Sequence, residues 1–157
     1  MNRATAMKYS FAGQKKSVAY AYGADGLKET ATLLSGAQRT TTYDTLNRET
    51  AMSIGNLKRT VSYLGVSGNR TTTLPSNITY KNGSTTLLST GYTYDVLGNL
   101  ATMTIGGTTY TYTYDSLNQL KTVSDGTNSY TYNYNTAGNI TSKVVNGTTI
   151  SYGYVKA

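Results

Sequence analysis

Tyrosine and threonine alternate along the second half of the chain with a period of two. Tyr110, Tyr112 and Tyr114 fall on one face of an extended segment, and Thr109, Thr111 and Thr113 fall on the other. Tyr130, Tyr132 and Tyr134 repeat the pattern, as do Tyr92 with Tyr94 and Tyr152 with Tyr154. This predicts strands with an aromatic face and a hydroxyl face, because both residue types fit a pleated, half-buried surface. No segment carries a helical pattern.

The strands belong to a repeat. Tyr94-Asp95-Val96-Leu97-Gly98-Asn99-Leu100 recurs as Tyr114-Asp115-Ser116-Leu117-Asn118-Gln119-Leu120 and as Tyr134-Asn135-Thr136-Ala137-Gly138-Asn139-Ile140, and another copy starts at Tyr154. Upstream, Tyr43-Asp44-Thr45-Leu46-Asn47-Arg48-Glu49 is a further copy, with weaker ones at Tyr22 and Tyr63. A second punctuation mark follows each key tyrosine: Gly55-Asn56, Asn82-Gly83, Gly106-Gly107, Asp125-Gly126 and Asn146-Gly147. Such dipeptides tolerate positive φ and suit two-residue hairpin turns. Each ~20-residue unit therefore holds two strands and two turns, for example strands over Thr108–Tyr114 and Leu120–Ser124. A single unit cannot bury its own face, so stability requires several in succession. The clear repeats span 92–154 and weaker ones 20–70, within a single domain over 1–157. The stretch at about 71–91 holds the only proline, Pro75, and reads as an irregular insertion.

The composition agrees with an all-β chain. Leu, Ile, Val and Phe together make only about 17% of it, a value at which disorder becomes a concern. The 16 tyrosines replace the missing apolar area, and the net charge of +7 is small for 157 residues. That charge lies in residues 1–81, but Lys15-Lys16 and Lys58-Arg59 are the only adjacent basic pairs. A solvated surface is the reading, and nucleic acid is not an expected partner. No stretch is long and apolar enough for a membrane span, and the N-terminal residues lack the apolar core of a secretory signal.

Candidate chemistry is sparse. With no His and no Cys, the common nucleophile–base pairs and nearly all zinc sites are excluded, so no catalytic residue, metal site or cofactor is expected. Asp44, Asp95 and Asp115 each follow a key tyrosine, and Asn135 takes that place in a fourth copy. One carboxylate per turn does not make an acid–base pair. An aspartate there accepts from backbone N–H groups two residues on, and asparagine does the same without charge. Asn47, Gly98, Asn118 and Gly138, four residues after each tyrosine, complete the turn as residues able to adopt the left-handed conformation. Asn-x-Ser/Thr sequons at Asn69, Asn77, Asn82, Asn139 and Asn146 occur about as often as chance predicts. The tyrosine rows are the feature that could serve binding, to a glycan or a protein surface; the alternative is that they are stacked and fixed by the repeat itself.

The unit Tyr-x-Tyr-Asp-x-x-Gly-Asn-Leu, best seen at Tyr92–Leu100, Tyr112–Leu120 and Tyr132–Ile140, resembles the Rhs/YD-repeat family over most of residues 20–157. The resemblance implies a β-sheet of hairpin units, spiralling or solenoid-like, as in the hollow shells of bacterial polymorphic toxins and in teneurins. It implies a non-catalytic structural module, extracellular or at the cell surface, that encloses a toxic domain or forms a scaffold. The arginine usual after the turn is present only as Arg48; Asn99, Gln119 and Asn139 stand elsewhere. No toxin domain is visible. Expected partners are the remainder of a larger Rhs-like protein or further copies of the chain, joined edge to edge or head to tail. A glycan or cell-surface ligand is the alternative.

Overall fold

The computed structural model describes residues 3–11, 13–33, 35–66 and 70–154. The chain divides into two compact units, Met1–Ser89 and Thr90–Ala157. The first unit holds β1 (Ala6–Phe11), β2 (Gln14–Tyr22), β3 (Lys28–Thr32), β4 (Gln38–Tyr43), β5 (Glu49–Ile54), β6 (Leu57–Val66) and β7 (Arg70–Asn82). The boundary falls within β8 (Thr85–Tyr94). The second unit continues with β9 (Leu100–Ile105), β10 (Thr108–Tyr114), β11 (Leu120–Ser124), β12 (Ser129–Tyr134), β13 (Ile140–Val145) and β14 (Thr148–Ser151). In each unit strand order follows chain order and neighbours run antiparallel. The described residues contain no helix. The fold is all-β, and the unit boundaries at β10 and β11 are those the tyrosine alternation and turn residues predict.

Two kinds of turn alternate along the chain. At one border Gly106 and Gly107 have φ 57° and 84°, and Asn146 and Gly147 have φ 47° and 86°. Two successive positive φ values define the turn whose twist matches the flanking strands. At the other border lie the longer Tyr-Asp turns, each followed by a break in pairing register. Tyr114 pairs with Leu120 but Thr113 pairs with Thr122, so Lys121 is an extra residue. The same break occurs at Tyr22, Tyr43, Tyr94 and Tyr134. This bulge lets Leu120 and Val123, three residues apart, both lie opposite tyrosines.

Two sequence expectations need correction. The stretch 71–91 is not an irregular insertion: β7 runs to Asn82 and β8 begins at Thr85. Its alternation is real, with Ile78 opposite Val61 and Tyr80 opposite Arg59 on one face. Pro75 lies opposite Tyr63, where the register breaks on both sides, and a bulge is where a strand accepts a residue without an N–H. The hairpin turn in this unit is at Gly83-Ser84 rather than Asn82-Gly83, with Asn82 the last residue of β7.

Neither unit has a conventional core. Among the described residues only Ala31, Thr41 and Thr90 are buried. Most tyrosines are only partly covered and several aliphatic side chains, Leu57 and Leu87 among them, are exposed, so the ladder hydrogen bonds and cross-strand pairs carry the fold.

Candidate functional site

The Tyr-Asp turns are built alike. Asp44 Oδ1 accepts from the N–H groups of Leu46 (2.9 Å) and Arg48 (3.0 Å). Asp95 Oδ1 accepts from Leu97 (2.9 Å) and Asn99 (2.8 Å), and Asp115 Oδ1 from Leu117 and Gln119 (both 2.9 Å). Asn135 Oδ1 does the same for Ala137 and Asn139, both at 3.0 Å. Asn47, Gly98, Asn118 and Gly138 stand at φ 62°, 86°, 64° and 80°. Each donates its N–H to the carbonyl at the start of its turn. Asp125, at the opposite border, accepts from Thr127 and Asn128 in a shorter version of this arrangement.

Arg48 follows one such turn and ties it to neighbouring chain. Its Nε donates to Asp44 Oδ2 at 2.7 Å, its Nη1 donates to the Thr72 carbonyl, and the guanidinium lies 4.4 Å from the Tyr63 ring centre. Arg59 pairs with Glu49 nearby. Where Asn99 replaces the arginine, its amide donates to Asp95 Oδ2 (3.0 Å) and to Asn118 Oδ1 of the next turn (2.5 Å).

Partial burial pushes the Asp44 and Asp95 carboxyls up. Hydrogen bonds from Arg48 and Leu46, and from Asn99 and Leu97, outweigh it and hold both below the ordinary carboxylate value. At Asp125 the Asn128 N–H and then its side chain act in the same direction. A carboxyl depressed on folding lends stability that is complete above its unfolded value and is lost as pH falls through its folded value. Burial, the first cause, raises the phenols of Tyr94, Tyr112 and Tyr134, with the Asp115 charge adding at Tyr134. A phenol raised on folding lends stability that is lost as pH climbs through its folded value. Thermal melts followed by circular dichroism are therefore expected to change little between about pH 5 and about pH 9, and to fall below about pH 4 and above about pH 10. A midpoint unchanged at both extremes would show that neither group contributes.

The tyrosines share one face with aliphatic side chains of the intervening strands. Tyr112 lies opposite Val123, which lies opposite Tyr130, and Tyr130 opposite Val145. Tyr92 and Tyr110 both face Met103, while Tyr94 and Tyr134 face Leu100 and Ile140. In the second unit the strand tyrosines lie on β8, β10 and β12, so the rings of successive repeats there are separated by a strand. Lys143, opposite Tyr132, places its Nζ 4.7 Å from the Tyr130 ring centre and 5.6 Å from that of Tyr132. Tyr152 and Tyr154 are the most open of the set, at 45% and 59% exposed.

Sequence reasoning missed what the hydroxyls do. Tyr114 donates to the Leu100 carbonyl (3.1 Å), Tyr134 to Leu120 (2.7 Å) and Tyr154 to Ile140 (2.9 Å). In the first unit Tyr63 donates to Glu49 at 2.8 Å. Every one of these bonds spans fourteen residues. Pairing between β9 and β10 runs only as far as Thr102, where the bulge begins, and the hydroxyl takes over at the carbonyl beyond it. The only signal in the sequence is the constant offset between these tyrosines and the residue that follows the preceding turn, Glu49, Leu100, Leu120 or Ile140.

The opposite face carries hydroxyl pairs: Thr93 with Thr102 and Thr113 with Thr122 at 2.6 Å, and Thr104 with Thr109 at 2.9 Å. Asn133 donates to Ser142 at 2.9 Å in the corresponding place. Among the described residues no three carboxylates come together as a metal site would need, and no helix is long and apolar enough to cross a membrane.

No family model and no curated protein matches the chain. Among solved structures it is similar to a Photorhabdus luminescens Tc holotoxin pore with a mutated TccC3, at 17% identity and TM-score 0.57 over 83% of this chain. It is similar to a TcdB2–TccC3–Cdc42 crystal structure at 17% identity and TM-score 0.57 over 85% of its length. TcdB2–TccC3 without its hypervariable C-terminal region matches at 18% identity and TM-score 0.57, again over 85%. The chain spans only 9% of each of these matched chains. The Rhs/YD-repeat resemblance seen in the residues is thus matched by structure, and the chain has the repeat β-sheet fold of these Tc toxin chains.

Proposed function

We propose that the chain is a non-catalytic structural module: a stretch of extracellular Rhs/YD-repeat wall that encloses or displays other parts of a larger protein. The observation that carries this reading is the reuse of one turn along the chain and of one tyrosine clamp at Tyr63, Tyr114, Tyr134 and Tyr154, with side-chain polar groups spent on holding backbone. Further repeats, in the same chain or in another copy, join through strand edges. β14 supports this reading, since it is uncharged, exposed along its length, and pairs with β13 alone among the described residues. A glycan-binding role is the second reading, favoured by the tyrosines and carboxamides between adjacent turns.

A wall module tolerates a change in the number of its units, whereas a binding site or globular core does not. Duplicating residues 108–127 in tandem is expected to preserve the strand signal per residue and leave the unfolding midpoint equal or higher. Loss of the cooperative transition would overturn the structural reading. Saturable binding on a glycan array, abolished by Tyr132→Ala, would favour the second.

A further inference from the structure

The two borders of the second unit differ in a way the turns themselves do not require. Val96, Leu97 and Leu117 form the tips of the Tyr-Asp turns and are 102%, 74% and 72% exposed. Leu46 holds the same place in its own turn and is 51% exposed. The geometry of these turns is set by the Asp anchor and by the residue with positive φ, and the central positions accept most side chains. The leucines therefore bear the cost of exposure with no local return. The opposite border shows Gly106-Gly107, Gly126-Thr127 and Asn146-Gly147, with no apolar side chain at its tips.

Beside Leu117 the Tyr-Asp border has a notch of about 340 Å³, lined by Leu117, Gln119, Tyr132, Tyr134, Asn135 and Thr136 among others. It has room for a leucine side chain. The lining includes one carboxylate, Asp115, and one ammonium, Lys121, so the notch is neutral, and across a two-fold axis each charge has an opposite one to face. A projecting leucine next to a notch that can take it is self-complementary under a two-fold axis.

We propose that the Tyr-Asp turn border is a contact surface for a second copy of itself, with Leu117 of each copy seated in the notch of the other. Val96 and Leu97 extend the apolar strip on its flank. This contact is separate from pairing at the β14 edge and does not depend on it.

Sedimentation velocity across a concentration series tests the proposal on the full chain with four variants. Leu117→Asp and Thr136→Lys, at the knob and the notch, are expected to raise the concentration needed for association by about tenfold or more. Thr127→Asp, at the opposite border, is expected to leave it unchanged. Thr149→Lys, on the exposed edge strand, reports edge pairing alone. Circular dichroism of Leu117→Asp should match the parent, because that side chain is already in water in the single copy. Association lost in Thr149→Lys but intact in Leu117→Asp would overturn the proposal, as would a parent chain that stays monomeric throughout the series.

Discussion

Replacing Tyr134 by alanine is expected to lower the unfolding free energy by about 3 kcal/mol, and replacing it by phenylalanine by about 1 kcal/mol. The difference separates the two jobs of one side chain. The ring covers Ile140 across the strand pair, while the hydroxyl holds the Leu120 carbonyl at 2.7 Å. Phenylalanine keeps the first and leaves the second to water. Tyr154→Phe, at a ring that is 59% exposed, should cost less because water already competes for the Ile140 carbonyl. Urea titrations of the three variants check this. Equal losses for Tyr134→Phe and Tyr134→Ala would mean that the ring contributes nothing beyond its hydroxyl.

The second large effect is expected at Arg48. Its guanidinium spans the Asp44 carboxylate, the Thr72 carbonyl and the Tyr63 ring, and it is 20% exposed. Arg48→Ala leaves both acceptors without this donor and is expected to cost about 2–3 kcal/mol. Arg48→Lys should recover less than half of that, because an ammonium cannot lie flat on a ring while bonding two acceptors in different directions. The same urea titrations distinguish planar recognition from simple charge. Full recovery by lysine would assign the whole effect to the ion pair.

How far the fold can be read from the residues depends on how far apart the interacting groups are. Thr108–Tyr114 and Leu120–Ser124 are legible because alternation and turn chemistry act over two to five residues. The Asp115 anchor is legible for the same reason, since its partners Leu117 and Gln119 lie two and four residues away. Pro75 was misleading because its tolerance depends on Tyr63 in another strand, where the register breaks. The clamp from Tyr134 to Leu120 was illegible because the need for it arises only once the bulge has drawn β11 away from β12. Asn82-Gly83 carried a strong turn signal and was one residue out of place, since Gly83 alone supplies the positive φ and Ser84 fills the second turn position. Charge had the least to say: Arg48 could be singled out as the one arginine after a turn, but nothing near it in sequence indicated the Tyr63 ring or the Thr72 carbonyl.

The near absence of buried side chains has a thermal consequence. The heat capacity gained on unfolding comes mainly from apolar area newly exposed to water, about 12–15 cal/mol/K per residue in an ordinary globular domain. Here most tyrosines remain partly in water before unfolding begins, and Ala31, Thr41 and Thr90 are the only buried residues among those described. Less area remains to be exposed, so the curve of stability against temperature is shallow, and cold weakens these sheets less than it weakens a protein held together by a packed interior.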